Sequence, residues 1–194
     1  MTGEVLGEVK VCEIYSALQG EGRYTGYATT FIQEPIDLAK GTDWSIDRIL
    51  SKVNKLGNRH VCIKGETLLQ EDSYTLVYEL LAYSYIVTME TSCRIPLEDC
   101  LYDRTYAYNV IINCAKENIL NNLRLLHSND EVKFVIKDDS DFDYVKKALK
   151  KYPTFAMVTL YPFKNDLNIF KKIEAFLIKN RLNARAGLKL HKLI

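Results

Sequence analysis

The residues of this chain able to do chemistry fall in three short stretches. In His60-Val-Cys-Ile-Lys-Gly-Glu-Thr-Leu-Leu-Gln70, a short apolar run ends at Gly65, where the backbone can turn tightly, and Glu66 is delivered at the carboxyl end of a strand. Met89-Glu-Thr-Ser92 sets Glu90 and Thr91 in the same way after a second apolar run. Gln19-Gly20-Glu21-Gly22 is a polar loop with two glycines. In a parallel α/β fold, acids at strand ends are where ligands bind. The five cysteines, Cys12, Cys62, Cys93, Cys100 and Cys114, are odd in number, widely scattered and never spaced Cys-x-x-Cys. That argues against a disulfide framework and against an ordinary zinc or iron–sulfur site, so no metal ligand is assigned. Cys62 reads as a small core residue, and a site joining it to Cys93 and Cys114 is the weaker alternative.

The elements that must position these residues follow from periodicity. The spacing predicts strands over 9–15, 28–32, 61–63, 85–89, 109–113, 132–136, 156–160 and 184–188. Helices are predicted after Ser45 as cap, from about Asp72, from Pro96, through Ile119, Leu123 and Leu126, after Ser140 as cap, and over 167–179. Residues 33–44 read as irregular. Strands and helices alternate, which is the pattern of βαβ units and a parallel sheet, and a single domain over 1–194 is the simplest organisation.

Composition is that of a soluble globular chain, with 194 residues, 47% apolar and 26% charged. No run approaches the ~18 apolar residues of a membrane span, and Met1-Thr-Gly-Glu lacks the order of a secretion signal. The expectation is a cytoplasmic protein with no membrane partner. From Tyr144 to Ile194 there are twelve Lys or Arg and two acids. With no aromatic-plus-basic motif beside them, these charges read as outer helix faces, and a nucleic-acid partner is not expected. Tyr83, Tyr85, Tyr102, Tyr106 and Tyr108 fit either a dimer patch or ordinary half-buried edges.

Several of these stretches, taken in order, resemble one family. Glu13-Ile-Tyr-Ser-Ala-Leu-Gln-Gly-Glu-Gly22, Thr29-Thr-Phe-Ile32, the His60–Gln70 stretch, Met89-Glu-Thr-Ser92, Val132-Lys-Phe-Val-Ile136 and Leu190-His-Lys192 are similar to the 7-carboxy-7-deazaguanine synthases. These are radical S-adenosylmethionine enzymes of the queuosine and archaeosine pathway. The resemblance implies an incomplete parallel (β/α) barrel of about six strands, usually dimeric. It assigns Gln19, Gly20, Glu21, Gly22 and His191 to a pterin pocket, where backbone groups and a carboxylate can read a guanine-like edge. It assigns Gly65, Glu66, Glu90 and Thr91 to the S-adenosylmethionine site. For each set, the plainer alternative is an inherited turn or rim residue without a ligand.

The departures from the family carry as much weight as the matches. Where the family places Cys-x-x-x-Cys-x-x-Cys to hold a [4Fe–4S] cluster, this chain has Gln33-Glu-Pro-Ile-Asp-Leu-Ala-Lys-Gly-Thr-Asp-Trp44, with no cysteine. The Asp-Thr pair that helps hold magnesium is missing. Gln33 stands for a substrate-facing arginine and cannot supply its bidentate charge. Lys64 stands for a glycine, Thr67 for a proline, Ser92-Cys93 for Asn-Gly and Lys189 for a glutamine. The expectation is a family member that has lost its cluster ligands, acting as a non-catalytic binding, regulatory or partner subunit. Its partner would be a second copy or an intact paralogue, and a pterin or purine its ligand. No cofactor is expected beyond weak binding of S-adenosylmethionine. The alternatives are a working synthase-type lyase acting on 6-carboxytetrahydropterin with cluster ligands supplied differently, and a structural dimer without ligand.

Overall fold

The computed structural model describes residues 7–65, 70–92, 96–97, 108–114 and 120–190, with the backbone alone at 108, 109 and 112–114. The chain forms two compact units. The first gathers Met1–Ala17, Ala28–Thr91 and Tyr102–Asn109, and the second Leu18–Tyr27, Ser92–Leu101 and Val110–Ile194.

The first unit is built on three adjacent parallel strands, β3 (Ala28–Gln33), β5 (His60–Lys64) and β6 (Ile86–Thr91), with β2 (Glu13–Leu18) beside β3. A separate antiparallel pair joins β1 (Glu8–Val11) to β4 (Thr42–Ser45). The spacing predicts an apolar stripe of Ile46, Ile49, Leu50 and Val53 on helix α1 (Ile46–Leu56), which buries Ile46, Ile49 and Val53 and leaves Leu50 half-buried. Ser45 Oγ accepts the Arg48 N–H at 3.4 Å, and Gly57 ends the helix in the left-handed conformation at φ 74°. Helix α2 (Ser73–Ala82) packs Leu76, Val77 and Leu80 into the core and lies against β6.

The second unit carries β7 (Tyr108–Cys114) from Val110 onward, β8 (Glu131–Ile136), β9 (Met157–Pro162) and β10 (Ala184–Ala186), all parallel. Helix α3 (Asp139–Lys151) covers the Val132–Phe134–Ile136 side of β8, where Phe134 and Tyr144 meet edge to face at 6.1 Å. Helix α4 (Leu167–Asn180) packs on β9 and β10. Lys146, Lys147, Lys150, Lys151, Lys171 and Lys172 are exposed on the outer sides of these two helices.

The architecture is the expected parallel α/β type, with local differences. The single strand over 9–15 is two strands, broken at Cys12, and the second runs on to Leu18. The segment 33–44 contains a 3-10 turn (Leu38–Lys40) and most of β4. Through 120–125 the chain is a 3-10 helix rather than an α-helix. The apolar spacing Leu123, Leu126 suits a three-residue period, and the Asn122 side chain is committed to the Leu97 N–H at 3.1 Å. The cap of α3 is Asp138, not Ser140, because Asp141 reaches back to the Asp138 N–H at 3.3 Å and completes a capping box. The segment from Pro96 lies largely outside the described residues. Among the described residues, no helix is long and apolar enough to cross a membrane.

Candidate functional site

In the first unit, pairing in register aligns Gln33, Lys64 and Glu90 as one row across the carboxyl ends of β3, β5 and β6. Lys64 Nζ lies 3.6 Å from Glu90 Oε2 and 5.6 Å from the centre of the Phe31 ring. The Glu90 side chain is only 8% exposed, so its charge faces this ammonium rather than water. Gln33 gives its amide to two backbone carbonyls, of Glu34 at 3.0 Å and Lys64 at 3.2 Å. Thr91 closes β6 and is buried.

Two rows further along the same face, His60 is buried, with Nδ1 2.8 Å from Thr29 Oγ1 and Nε2 2.8 Å from Thr88 Oγ1. Burial lowers its pKa from 6.5 to about 4, which keeps the ring neutral.

Gly65 follows at φ +148°, and a Cβ there would meet Glu34 Cβ at 2.8 Å and the Glu34 carbonyl oxygen at 3.0 Å. This glycine is therefore required by the backbone of its own unit, whether or not a ligand binds. Gly65→Ala is expected to cost about 1–3 kcal/mol, read from urea unfolding; an unchanged midpoint would contradict the close approach. Glu34 itself is 1% exposed, and its Oε1 accepts the Ser73 hydroxyl at 3.3 Å at the start of α2.

In the second unit, the Gln19–Gly22 loop is pinned to the face of β8 and β9 that carries Glu131, Lys133 and Tyr161. The loop closes on itself through Gln19 N–H to Tyr27 O and Gly26 N–H to Gln19 O, both 2.8 Å. Gly22 N–H donates to Tyr161 Oη at 2.8 Å, and Arg23 N–H to Glu131 Oε1 at 2.6 Å. Gly22 adopts φ +83°, and a Cβ would come within 3.0 Å of the Glu131 carboxylate. Leu190 N–H donates to Gly20 O at 2.7 Å.

Charge is concentrated behind this loop. Glu21 is 6% exposed and Lys133, with its ammonium 3.2 Å from Glu21 Oε1, is 1% exposed. Lys189 Nζ lies 3.4 Å from Glu21 Oε2. Glu131 is fully buried and meets Arg185 at 3.3 Å. Burial raises the Glu131 pKa, opposed by the Arg23 N–H and the Arg185, Lys133 and Arg23 charges. Burial likewise raises that of Tyr161.

Comparison with known proteins gives these two clusters a family. The chain is 30% identical over 204 residues to the 7-carboxy-7-deazaguanine synthase of Methanospirillum hungatei, covering 96% of this chain and 85% of the relative. The family is thereby shown. This chain belongs to the 7-carboxy-7-deazaguanine synthases. The synthase of Koribacter versatilis is 27% identical, with 96% of each chain covered, and that of Thermoplasma acidophilum 23%, with 95% of this chain and 96% of the relative covered. The fold matches the crystal structure of QueE from Escherichia coli with a TM-score of 0.78 over 95% of each chain, at 18% identity. No family model matches the chain.

Within this family, the segment after β3 does not fit a [4Fe–4S] cluster. Residues 33–44 offer carboxylates and no thiolate. Each carboxylate has a structural partner: Glu34 the Ser73 hydroxyl, Asp37 the Ala39 N–H at 3.2 Å, and Asp43 the Lys10 ammonium at 2.7 Å. Thr42 to Trp44 are bound in register to Val9–Val11. Cys62 is buried within β5 and Cys12 is exposed at the break between β1 and β2. Glu66, Cys93, Cys100 and His191 lie outside the described residues, as does the Cys114 side chain.

The residues that the synthase resemblance assigns are thus placed in two groups. Gln19, Gly20, Glu21 and Gly22 cluster in the second unit, and Gly65, Glu90 and Thr91 in the first. Reasoning from sequence missed Glu34, Glu131, Lys133, Tyr161 and Arg185. The signal for two of them was present. In Glu131-Val-Lys133-Phe-Val-Ile136 charged residues alternate with apolar ones, which sets both charges on the face opposite the helix-packed side chains. Among the tyrosines, Tyr83 and Tyr85 join Asp47, Leu50, Ser51 and Asn54 around a cavity of about 260 Å³ in the first unit.

Proposed function

We propose that this synthase-family chain binds a deazaguanine- or pterin-type heterocycle and does not carry out the family's radical chemistry. It acts as a binding or partner subunit. The observation that carries this reading is the segment 33–44, which has no thiolate, whose carboxylates each meet a structural partner, and whose residues 42–44 are paired with β1. Without three sulfur ligands there is no site-differentiated cluster to pass an electron to a sulfonium. The Lys64 ammonium beside Glu90 supports the same reading, since it stands against the carboxylate assigned to the cofactor.

Anaerobic reconstitution with iron and sulfide tests it. The expected result is iron well below four per chain, no cubane absorption and no 5′-deoxyadenosine on adding reductant and S-adenosylmethionine. A stoichiometric cluster with cofactor cleavage would replace this reading with its rival, a working lyase whose ligands come from elsewhere in the chain or a partner. The rival is favoured by one observation, the near full-length similarity to proteins named as synthases.

A further inference from the structure

The cavity of about 260 Å³ in the first unit shares no residue with either cluster described above. One wall is a stripe of α1, made of Asp47, Leu50, Ser51 and Asn54, whose three- and four-residue spacing sets them on one face of the helix. The other wall is Tyr83 and Tyr85, at the turn from α2 into β6. That turn is held by its own backbone. Ser84 N–H donates to Leu81 O at 2.9 Å and Tyr85 N–H to Leu80 O at 3.0 Å, with Ser84 in the left-handed conformation at φ 64°. Asp47 is the one charged residue of the lining, and no Lys or Arg is part of it. Among the described residues, the side chains of Asp47, Ser51, Asn54, Tyr83 and Tyr85 make no hydrogen bond or ion pair. The cations of α1 are not matched to Asp47. Arg48 lies over the Trp44 ring at 3.7 Å, and neither Lys52 nor Lys55 forms an ion pair among the described residues.

We infer that this cavity takes a guanidinium group on an aliphatic stem, the chemistry of an arginine side chain or of a small organic cation. Asp47 is the anion that a forked cation meets, and the side-chain oxygens of Ser51 and Asn54 accept the N–H groups that remain. The two tyrosine rings offer their negative faces to the cation, and Leu50 gives the stem an apolar contact. A guanidinium suits these walls better than an ammonium, because it is planar, stacks on aromatic faces and is more weakly hydrated. From Asp47 to Asn54 the stripe runs about 10 Å along the helix, room for one extended side chain. The volume is below the roughly 300–1,000 Å³ of sites for drug-sized ligands, which fits one side chain rather than a nucleotide. The site stands whether or not the function proposed above does.

The test is an amide NMR titration of the full chain with N-acetylarginine methylamide and N-acetylcitrulline methylamide, which differ only in the charged group. The arginine probe is expected to bind about tenfold more tightly or better, with the shifts centred on α1 and on Tyr83 to Tyr85. Asp47→Asn is expected to erase that preference. Tyr83→Leu is expected to weaken the arginine probe about twofold to fivefold, and Tyr83→Phe, which keeps the ring face, to leave it unchanged. Asp47 and Tyr83 are both exposed, so these variants are expected to unfold at the wild-type urea midpoint. Equal binding of the two probes, no binding of the arginine probe, a preference that survives in Asp47→Asn, or shifts confined to other residues would each overturn the inference. Free arginine separates the two sources. Weaker binding than the capped probe points to an arginine within a partner chain, tighter binding to a small-molecule cation, and either sustains the site.

Discussion

Lys133→Met unfolds at a lower urea concentration, with about 3–5 kcal/mol of stability lost. Among the described residues of the second unit the lysine is the most completely enclosed cation, and methionine keeps most of its volume, so cavity formation contributes little. What is lost is the partner of a carboxylate that cannot reach water. Among the described residues Glu21 would keep Lys189, one quarter exposed, at 3.4 Å, and Glu131 would lose one of the three positive charges opposing its protonation. Removing one member of a buried pair is costly because the other remains charged in a poorly polarisable place, whereas removing both is often nearly neutral. Glu21→Gln combined with Lys133→Met is therefore expected to recover more than half of the loss. A single variant that costs under about 1 kcal/mol would mean that the pair is hydrated and that its burial is not maintained in solution.

The second large effect is on acid stability. His60 sits between two threonine hydroxyls with both ring nitrogens engaged, and its pKa falls from 6.5 to about 4 because a charged ring would be desolvated. The unfolded chain takes up its proton near pH 6.5, while the folded chain waits until about pH 4. The unfolded state therefore binds more protons in that window, and stability falls as pH falls through it. The neutral ring's contribution is fully present above pH 6.5; about 2 kcal/mol of it is gone by pH 5 and about 3 kcal/mol by pH 4. Urea midpoints measured from pH 7.5 to 5 should show this decline. In His60→Gln, whose amide can still bridge two hydroxyls but does not titrate, the decline over the same range should largely vanish. A wild-type curve as flat as that of the variant would show that the ring is hydrated or already protonated in the fold.

The elements were largely legible in the sequence because their signals are local. The stripe Ile46, Ile49, Val53 and its Ser45 cap, the apolar run before Gly65, and the stop at Gly57 each state their structure within one turn of chain. What was not legible depends on partners far away. Thr42-Asp-Trp-Ser45 has no strand pattern of its own and becomes β4 because β1 presents an open edge and Lys10 reaches Asp43. Asp138 and Ser140 are both good cap residues, and the choice falls to Asp138 through Asp141, one turn on. The site divides in the same way. The loop Gln19–Gly22 is visible as glycines and a carboxylate, but that its acid faces two lysines 112 and 168 positions later is written in tertiary structure alone. Gly65 was assigned to a cofactor, and its close approach to the Glu34 backbone gives it a reason to be glycine that no ligand need supply.

If the proposed absence of radical chemistry holds, the pairing of β4 with β1 bears on whether such a loss is reversible. Each of the last residues before α1 is tied to a position near the amino terminus, and Ser45 is at once the end of that ladder and the helix cap. Three cysteine codons written into this stretch would give thiols spread along a short turn and a fixed ribbon, not gathered about one metal corner. On that reading, cluster binding at this segment would need new chain length inserted ahead of Thr42, so such a loss would run as a ratchet rather than a toggle.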